Sequence, residues 1–196
     1  MKQVKFTAME NGLQEDFVLL FALADEAVKD VPERILKSLE PLKTSFDGYQ
    51  VTRYEHSLQT ATRAYQNKEN DDMVVGALLH DIGDLLAPYN HGEMAAAILK
   101  PYVSEKVYWI VKHHSIFSKY YCAHYMGGDR NARDKYRDSP YYQATVDFCA
   151  NYDQKSFDPN YDSFPLDFFE PMVRRIFTQP QPHYQFIPTQ SKIKIT

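Results

Sequence analysis

The feature that most limits how this chain can fold is a short segment that is apolar on every side. Residues 73–79 read MVVGALL and follow two aspartates, Asp71 and Asp72, either of which could cap a helix start. A helix without a polar face has to be buried all round. Because His80 and Asp81 come directly after it, the sequence predicts an imidazole and a carboxylate at the end of a core helix.

Apolar residues also recur at three- and four-residue intervals elsewhere, which is typical of helices. Asn90 with Glu93 has the spacing of a capping box, and Ser104 and Ser139-Pro140 are residue types that begin helices. Residues 123–138 carry two glycines and three arginines and are predicted to form a loop or an interrupted helix. The predicted helices are 14–29, 33–39, 52–66 and 167–177, with others starting at His91, after Ser104 and at Ser139.

These helices predict an all-α fold class, and 196 residues suit a single domain. We expect a helical core over residues 1–177. Residues 178–196 contain three prolines and little periodicity, so they are expected to form an extended C-terminal tail.

Composition argues against several classes of protein. The net charge of -4 gives no field that would attract nucleic acid or an anionic membrane. The two cysteines, Cys122 and Cys149, form no CxxC pair, which argues against a zinc ribbon. The longest apolar run, residues 17–24, is far shorter than the roughly 20 residues of a membrane span, so a cytoplasmic protein is expected.

A candidate metal site follows from ionisable residues at apolar positions. Besides His80 and Asp81, these residues lie at predicted helix ends or on apolar faces, where an unpaired ionisable group is costly: His56, His91, His114 and Asp153. His56 fits least clearly, since the apolar stripe of its helix does not include it. Imidazole with carboxylate suits iron, manganese or zinc. Singly, His114 could be a core histidine bonded to a carbonyl, and Asp153 could pair with Lys155 or Arg174.

In this order the residues resemble a family signature. His56, HDIGD at 80–84, His91, His114 and Asp153 resemble the pattern of HD-domain proteins with two metals, over roughly residues 46–177. RYEHSLQTATRA, ALLHDIGDLLAP and HHSIFSKYY are similar to the mixed-valent diiron oxygenases of that superfamily, which include myo-inositol oxygenase and phosphonate-cleaving enzymes. NHGEMAAAILKPYVS, GGDRNARDKYR and FEPMVRRIF resemble the glycine-betaine-forming branch, which acts on 1-hydroxy-2-(trimethylammonio)ethylphosphonate.

The resemblance implies an HD-domain helical bundle with two irons as a mixed-valent Fe(II)/Fe(III) pair and O2 as cosubstrate. His56, His80, Asp81 and Asp153 would bind one iron, and Asp81 would bridge to a second iron bound by His91 and His114. The implied reaction is cleavage of a C–P bond in phosphonate catabolism, which gives a carboxylate and phosphate. A small-molecule phosphonate is the expected partner of a monomer or homodimer.

Two departures bear on the implied catalytic residues. The relative that cleaves an aminated phosphonate has a tyrosine and a glutamate before the first ligand histidine, where this chain has Phe46 and Tyr49. Tyr49 is therefore the candidate for a lid over the iron. Asp84 stands where that relative has histidine, and its carboxylate could face a quaternary ammonium group. Asp81, Tyr49 and Asp84 are the expected catalytic residues.

Substrate recognition needs groups for both ends of such a molecule. Fixed positive charge for the phosphonate is expected from Lys119, Arg130 and Arg133, unless these form a solvated surface run. A trimethylammonium group is best bound by aromatic faces. The aromatic candidates, for which core packing is the alternative, are Tyr49, Phe117, Tyr120, Tyr121 and Tyr152.

Two other functions use the same ligand spacing. An HD-type phosphohydrolase would use two divalent metals to activate water against a nucleotide or small phosphoester. A non-catalytic module could retain the fold alone. Spacing does not separate the oxygenase from the hydrolase.

Overall fold

The computed structural model describes residues 3–184, and within that range it contains helices and turns but no β-strand. This confirms the all-helical fold class. The α-helices are α1 (Gln14–Ala27), α2 (Val31–Ser38), α3 (Arg53–Gln66), α4 (Asp71–Leu79), α5 (His91–Leu99), α6 (Glu105–Ser118), α7 (Tyr142–Asn151) and α8 (Leu166–Phe177).

Helix α4 lies at the centre of the core. Every residue from Met73 to Leu79 is buried, as the apolar sequence predicts, and α3, α6 and α8 pack around the helix. Gly76 allows α6 to approach closely, because a Cβ there would lie 2.5 Å from Cγ1 of Val107. The end of α4 therefore delivers His80 and Asp81 into the interior.

The start of α4 is capped differently from the prediction. Asn70, and neither Asp71 nor Asp72, is the capping residue, since its side chain accepts a bond of 3.1 Å from the Met73 amide. Asp71 instead pairs with Arg175 of α8, and Asp72 accepts from the amide of Ser104 at 3.0 Å. Both aspartates are thus used to join α4 to other elements.

Other helix starts agree more closely with the sequence. Thr52 and Glu55 form a reciprocal capping box that begins α3, and Ser104 caps α6. Helix α5 begins at His91 as predicted, although Asn90 makes no side-chain bond to the helix backbone. Residues 123–138 are a connection with two short 3₁₀ turns, which confirms the interrupted segment.

Three segments differ from expectation. Helix α7 begins at Tyr142 and not at Ser139, whose hydroxyl instead accepts from the amide of Tyr141 in the preceding turn. No residue of α1 is buried, so its apolar side chains do not build the core. The backbone amide of Gln181 donates to the Pro101 carbonyl, so the tail packs against the α5–α6 junction there; residues 185–196 lie outside the described range.

None of the helices within residues 3–184 has both the length and the apolar character needed to cross a bilayer.

Candidate metal centre

Two pairs of histidines face one aspartate at the core of the molecule. The Nε2 atoms of His56 and His80 are 3.1 Å apart, and those of His91 and His114 are 3.2 Å apart. One oxygen of Asp81, Oδ2, lies 3.5 and 3.4 Å from the first pair, and Oδ1 lies 3.3 and 3.2 Å from the second. Asp81 therefore stands between two histidine pairs with one oxygen toward each.

Asp153 completes the first of these groups. Its Oδ1 atom lies 3.4 Å from Nε2 of His56 and 3.9 Å from Nε2 of His80. The alternative pairing with Arg174 does not occur, because Arg174 pairs with carboxylates on α2 and α8. All six side chains expected to bind metal are thus brought together, four in one group and three in the other, with Asp81 in both.

The fold explains why residues so distant in sequence meet here. His56 comes from the first turn of α3, and His114 from the buried face of α6. His91 is the first residue of α5, and its backbone lies against Gly83, where a Cβ would be 2.5 Å from the His91 carbonyl oxygen. Only glycine at residue 83 allows the turn after Asp81 to approach α5 this closely.

Backbone carbonyls set the tautomers of the buried histidines. A carbonyl only accepts hydrogen bonds, so the imidazole nitrogen facing it must carry the proton. The Nδ1–H groups of His56, His80 and His114 donate to the carbonyls of Ser156 (2.9 Å), Ala77 (2.7 Å) and Val111 (2.6 Å) respectively. Their Nε2 lone pairs therefore point into the centre.

The protonation states suit metal binding. Burial lowers the pKa of His80 to about 4, so its imidazole is neutral at pH 7. Burial would raise the pKa of Asp81, but His80, His114 and Arg53 outweigh it and hold that pKa well below the usual value. The ionised Asp81 carboxylate in turn raises the pKa of His114, against the effect of burial. The centre thus combines a neutral His80 imidazole with an ionised carboxylate.

This donor set fits two metal ions. Lone pairs of four imidazoles and oxygens of two carboxylates converge in a space that is almost closed to water, which is unfavourable unless a cation neutralises them. Nitrogen and oxygen ligands suit iron, manganese or zinc. No thiolate takes part: the Cys149 thiol packs against the His114 carbonyl at 3.6 Å, and Cys122 is exposed.

The two groups differ in access to solvent. The side chains of His56 and His80 are fully buried, whereas that of His91 is 17% exposed. A cleft of about 280 Å³ opens beside His91 and is lined by Ser45, Phe46, Tyr49, Arg53, Asp84, Pro88 and His91. Tyr49 therefore lies at the mouth of the centre, half-exposed, with Phe157 between it and His56.

The sequence suggested that Asp84 could face a cationic ligand, but both oxygens of its carboxylate already have partners in the protein. One of its oxygens lies 3.3 Å from Nδ1 of His91, and the other pairs with Nε of Arg53 at 2.7 Å. Arg53 also reaches Oδ2 of Asp81 at 3.3 Å. Arg53 was not among the predicted site residues, because an arginine in the first turn of a helix is typical of a surface position.

Two serines of α6 were also missed. Ser115 Oγ lies 3.0 Å from Nε2 of His91, and Ser118 donates to Oδ2 of Asp153. Ser118 follows His114 by four residues, and this spacing could have placed it on the same face of the helix. Ser115 directly follows His114, and no such spacing marks it. Ser118 leaves Oδ1 as the oxygen of Asp153 that faces the histidines.

The expected phosphonate ligands form an unusual cluster. The guanidinium carbons of Arg130 and Arg133 lie 4.1 and 3.9 Å from the centroid of the Tyr120 ring. Within the described residues, the buried Nε atoms of both arginines lack a hydrogen-bond partner. Burial raises the pKa of Tyr121, and the charges of Arg133 and Asp153 both act on it. Lys119 is exposed.

Two aromatic candidates lie away from any ligand-facing surface. Phe117 is fully buried beside Trp109 and Tyr142. Tyr152 is buried and its hydroxyl donates to Glu69 at 2.8 Å. These placements correct the expectation that Phe117 and Tyr152 face a substrate: both pack in the core. Tyr120, whose ring contacts two guanidinium groups, is likewise not available to a cationic ligand.

Comparison with known proteins agrees with the fold and the centre. Residues 53–146 match the family model described as HD domain, a range that includes five of the six converging side chains. An HD domain is thus detected over this part of the chain.

A more particular likeness is to one curated oxygenase. The chain is 34% identical over 87 residues to the [1-hydroxy-2-(trimethylamino)ethyl]phosphonate dioxygenase (glycine-betaine-forming) of Leisingera caerulea. The match covers 39% of this chain and 44% of that relative, so it spans less than half of either protein.

Metal binding should stabilise the wild-type protein and not an Asp81→Ala variant, because Asp81 faces both histidine pairs. Iron(II) at 100 times its dissociation constant should raise the free energy of unfolding by about 2.7 kcal/mol per site. Anaerobic thermal denaturation with and without iron measures this. His113→Ala, next to His114 but stacked on Trp109, is the control and should respond like the wild type. A full response by Asp81→Ala would contradict the assignment.

Proposed function

We propose that this protein is a diiron oxygenase that cleaves the C–P bond of a 1-hydroxyphosphonate with O2, and that its substrate resembles 1-hydroxy-2-(trimethylammonio)ethylphosphonate. The observation that carries the proposal is the position of Asp81, with one oxygen toward each histidine pair. A carboxylate in that position can bridge two neighbouring metal ions. The named relative supports the choice of reaction.

The six residues would act as ligands to two irons. His56, His80, Asp81 and Asp153 would bind one ion, and Asp81, His91 and His114 the other, which has fewer protein ligands and lies beside the cleft. A mixed-valent pair would supply a Lewis acid for the substrate oxygens and an electron for O2. Substrate would reach the centre from the His91 side, where the protein is open.

Recognition of the anionic end is assigned to Arg130 and Arg133. Two guanidinium groups that contact one ring repel each other, and among the described residues neither pairs with a carboxylate. A phosphonate oxygen anion would relieve this repulsion and supply the acceptor that their buried Nε atoms lack. The charges of Arg133 and Asp153 both act on the pKa of Tyr121, which supports a link between this pair and the centre.

The cationic end is assigned to the cleft beside His91. Tyr49 and Phe46 offer half-exposed aromatic faces there, with ring centroids 5.8 Å apart. Each aromatic face is worth roughly 0.5 to 2 kcal/mol to a quaternary ammonium group. The nearby charges of Arg53 and Asp84 offset each other, so the rings and not a carboxylate would select this group.

The chemistry balances with O2 as the sole co-reactant. The C–P bond breaks, the hydroxyl-bearing carbon becomes a carboxylate, and phosphorus leaves as phosphate; O2 provides the two additional oxygen atoms and accepts the electrons. The contribution of the chain is to orient the substrate, to direct the Nε2 atoms of the imidazoles into the centre, and to exclude water from the buried side.

Iron-loaded protein should consume O2 and release phosphate and glycine betaine in equal amounts from [1-hydroxy-2-(trimethylamino)ethyl]phosphonate, and it should release none anaerobically. An oxygen electrode, a phosphate assay and mass spectrometry measure the three quantities. Phosphoester cleavage that proceeds equally well without O2 would contradict the proposal and favour the phosphohydrolase.

Arg133→Gln should raise the KM for the phosphonate about 10- to 100-fold, because a charge-assisted hydrogen bond contributes about 1.5 to 3 kcal/mol. Steady-state O2 consumption measures KM. Arg137→Gln is the matched control from the same connection, where Arg137 is exposed and pairs with Asp134, and its KM should stay at the wild-type value. An unchanged KM in Arg133→Gln would remove this residue from the substrate site.

A further inference from the structure

His91 is held less firmly than the other three histidines. Each of the others donates from Nδ1 to a backbone carbonyl at 2.9 Å or less. The corresponding distance from His91 to the Pro88 carbonyl is 3.4 Å, and the His91 side chain is the most exposed of the four. The backbone alone therefore does not fix this imidazole, and a second acceptor is needed to orient it.

Asp84 is in the position to provide that acceptor. Its Oδ1 atom lies 3.3 Å from Nδ1 of His91, on the side of the ring opposite to Asp81. Since a carboxylate can only accept here, it keeps the proton on Nδ1 and leaves Nε2 as the ligand atom. The Asp84 side chain is only 12% exposed, so solvent competes little for the contact.

Arg53 fixes Asp84 in turn. Its Nε atom pairs with the other oxygen of Asp84 at 2.7 Å, and its Nη1 atom reaches Asp81 at 3.3 Å. Arg53 lies on α3 one turn before His56, so it is anchored on the helix that supplies a ligand to the other group. Its positive charge also offsets the repulsion between Asp81 and Asp84, which lie on the same turn.

We infer that Asp84, fixed by Arg53, is the positioning residue for His91, and that Asp84 sets the metal affinity of the His91–His114 group without setting that of the His56–His80 group. This inference rests on the proposed two-metal centre. Metal binding at the two groups should therefore be measurable separately. The buried His56–His80 group is fixed by backbone carbonyls, whereas the open His91–His114 group depends on an ion pair.

Stepwise metal binding tests the inference. Anaerobic calorimetric titration with iron(II), with metal content measured after gel filtration, gives an affinity for each group. Asp84→Ala should leave the first equivalent unchanged and weaken the second about 10- to 100-fold, the usual effect of losing a residue that orients a metal ligand. Arg53→Gln, which also loses the contact with Oδ2 of Asp81, should weaken both equivalents. Asp84→Glu, which keeps the charge, should restore part of the lost affinity.

Two comparisons separate a positioning role from general damage. Arg63→Gln, also on α3 but stacked on Tyr161 away from the centre, should bind both equivalents like the wild type. In the double variant Arg53→Gln/Asp84→Ala, the loss of affinity at the second equivalent should be smaller than the sum of the two single losses, because Arg53 acts in part through Asp84. Additive losses would show that Arg53 acts separately and would overturn its role in fixing Asp84.

The other outcomes distinguish failure of this inference from failure of the proposed function. Wild-type protein that binds fewer than two equivalents contradicts the proposed diiron function itself. Wild-type protein that binds two, with Asp84→Ala unchanged or weakened equally at both steps, overturns the inference alone. If circular dichroism shows that Asp84→Ala does not fold, Asp84→Asn decides: it removes the charge, keeps the size of the side chain and should weaken only the second equivalent.

Discussion

The convergence of imidazole lone pairs and carboxylate oxygens in a buried space governs the rest of this molecule. The imidazoles of His56, His80 and His114 donate from Nδ1 to backbone carbonyls and turn Nε2 toward the same space, and the ionised Asp81 and Asp153 add negative charge beside them. Such an arrangement is costly until cations bind. The helix ends place these groups around the buried space. Gly83 lets the turn after Asp81 approach His91, so both features serve the same convergence.

The two halves of the centre are built differently, and only one of them is open to solvent. The half with His56 and His80 is closed and held by the backbone, whereas the half with His91 opens to a cleft and depends on Asp84 and Arg53. An enzyme that keeps one metal in place and presents the other to substrate would have this asymmetry. The arginines beside Tyr120 and the rings of Phe46 and Tyr49 then suit opposite ends of a zwitterion.

The sequence predicts the fold class and the six converging residues, because both depend on strong local signals. An apolar helix followed by His80 and Asp81 requires burial, helix ends and apolar faces indicate the other four residues, and the resemblance assigns all six to two irons. It does not predict contacts that depend on tertiary structure. Asn70 caps α4 because Asp71 and Asp72 are used elsewhere, Arg53 is paired by residues about thirty positions away, and Phe117 belongs to the core although its neighbours suggested a ligand surface.

Anomalous diffraction at the iron edge from crystals of iron-loaded protein is the most direct test that these six side chains bind a pair of metal ions. Two peaks about 3.5 to 4 Å apart, on either side of the Asp81 carboxylate, are expected from a two-metal site. A single peak, or iron bound outside the space between the two histidine pairs, would contradict the account.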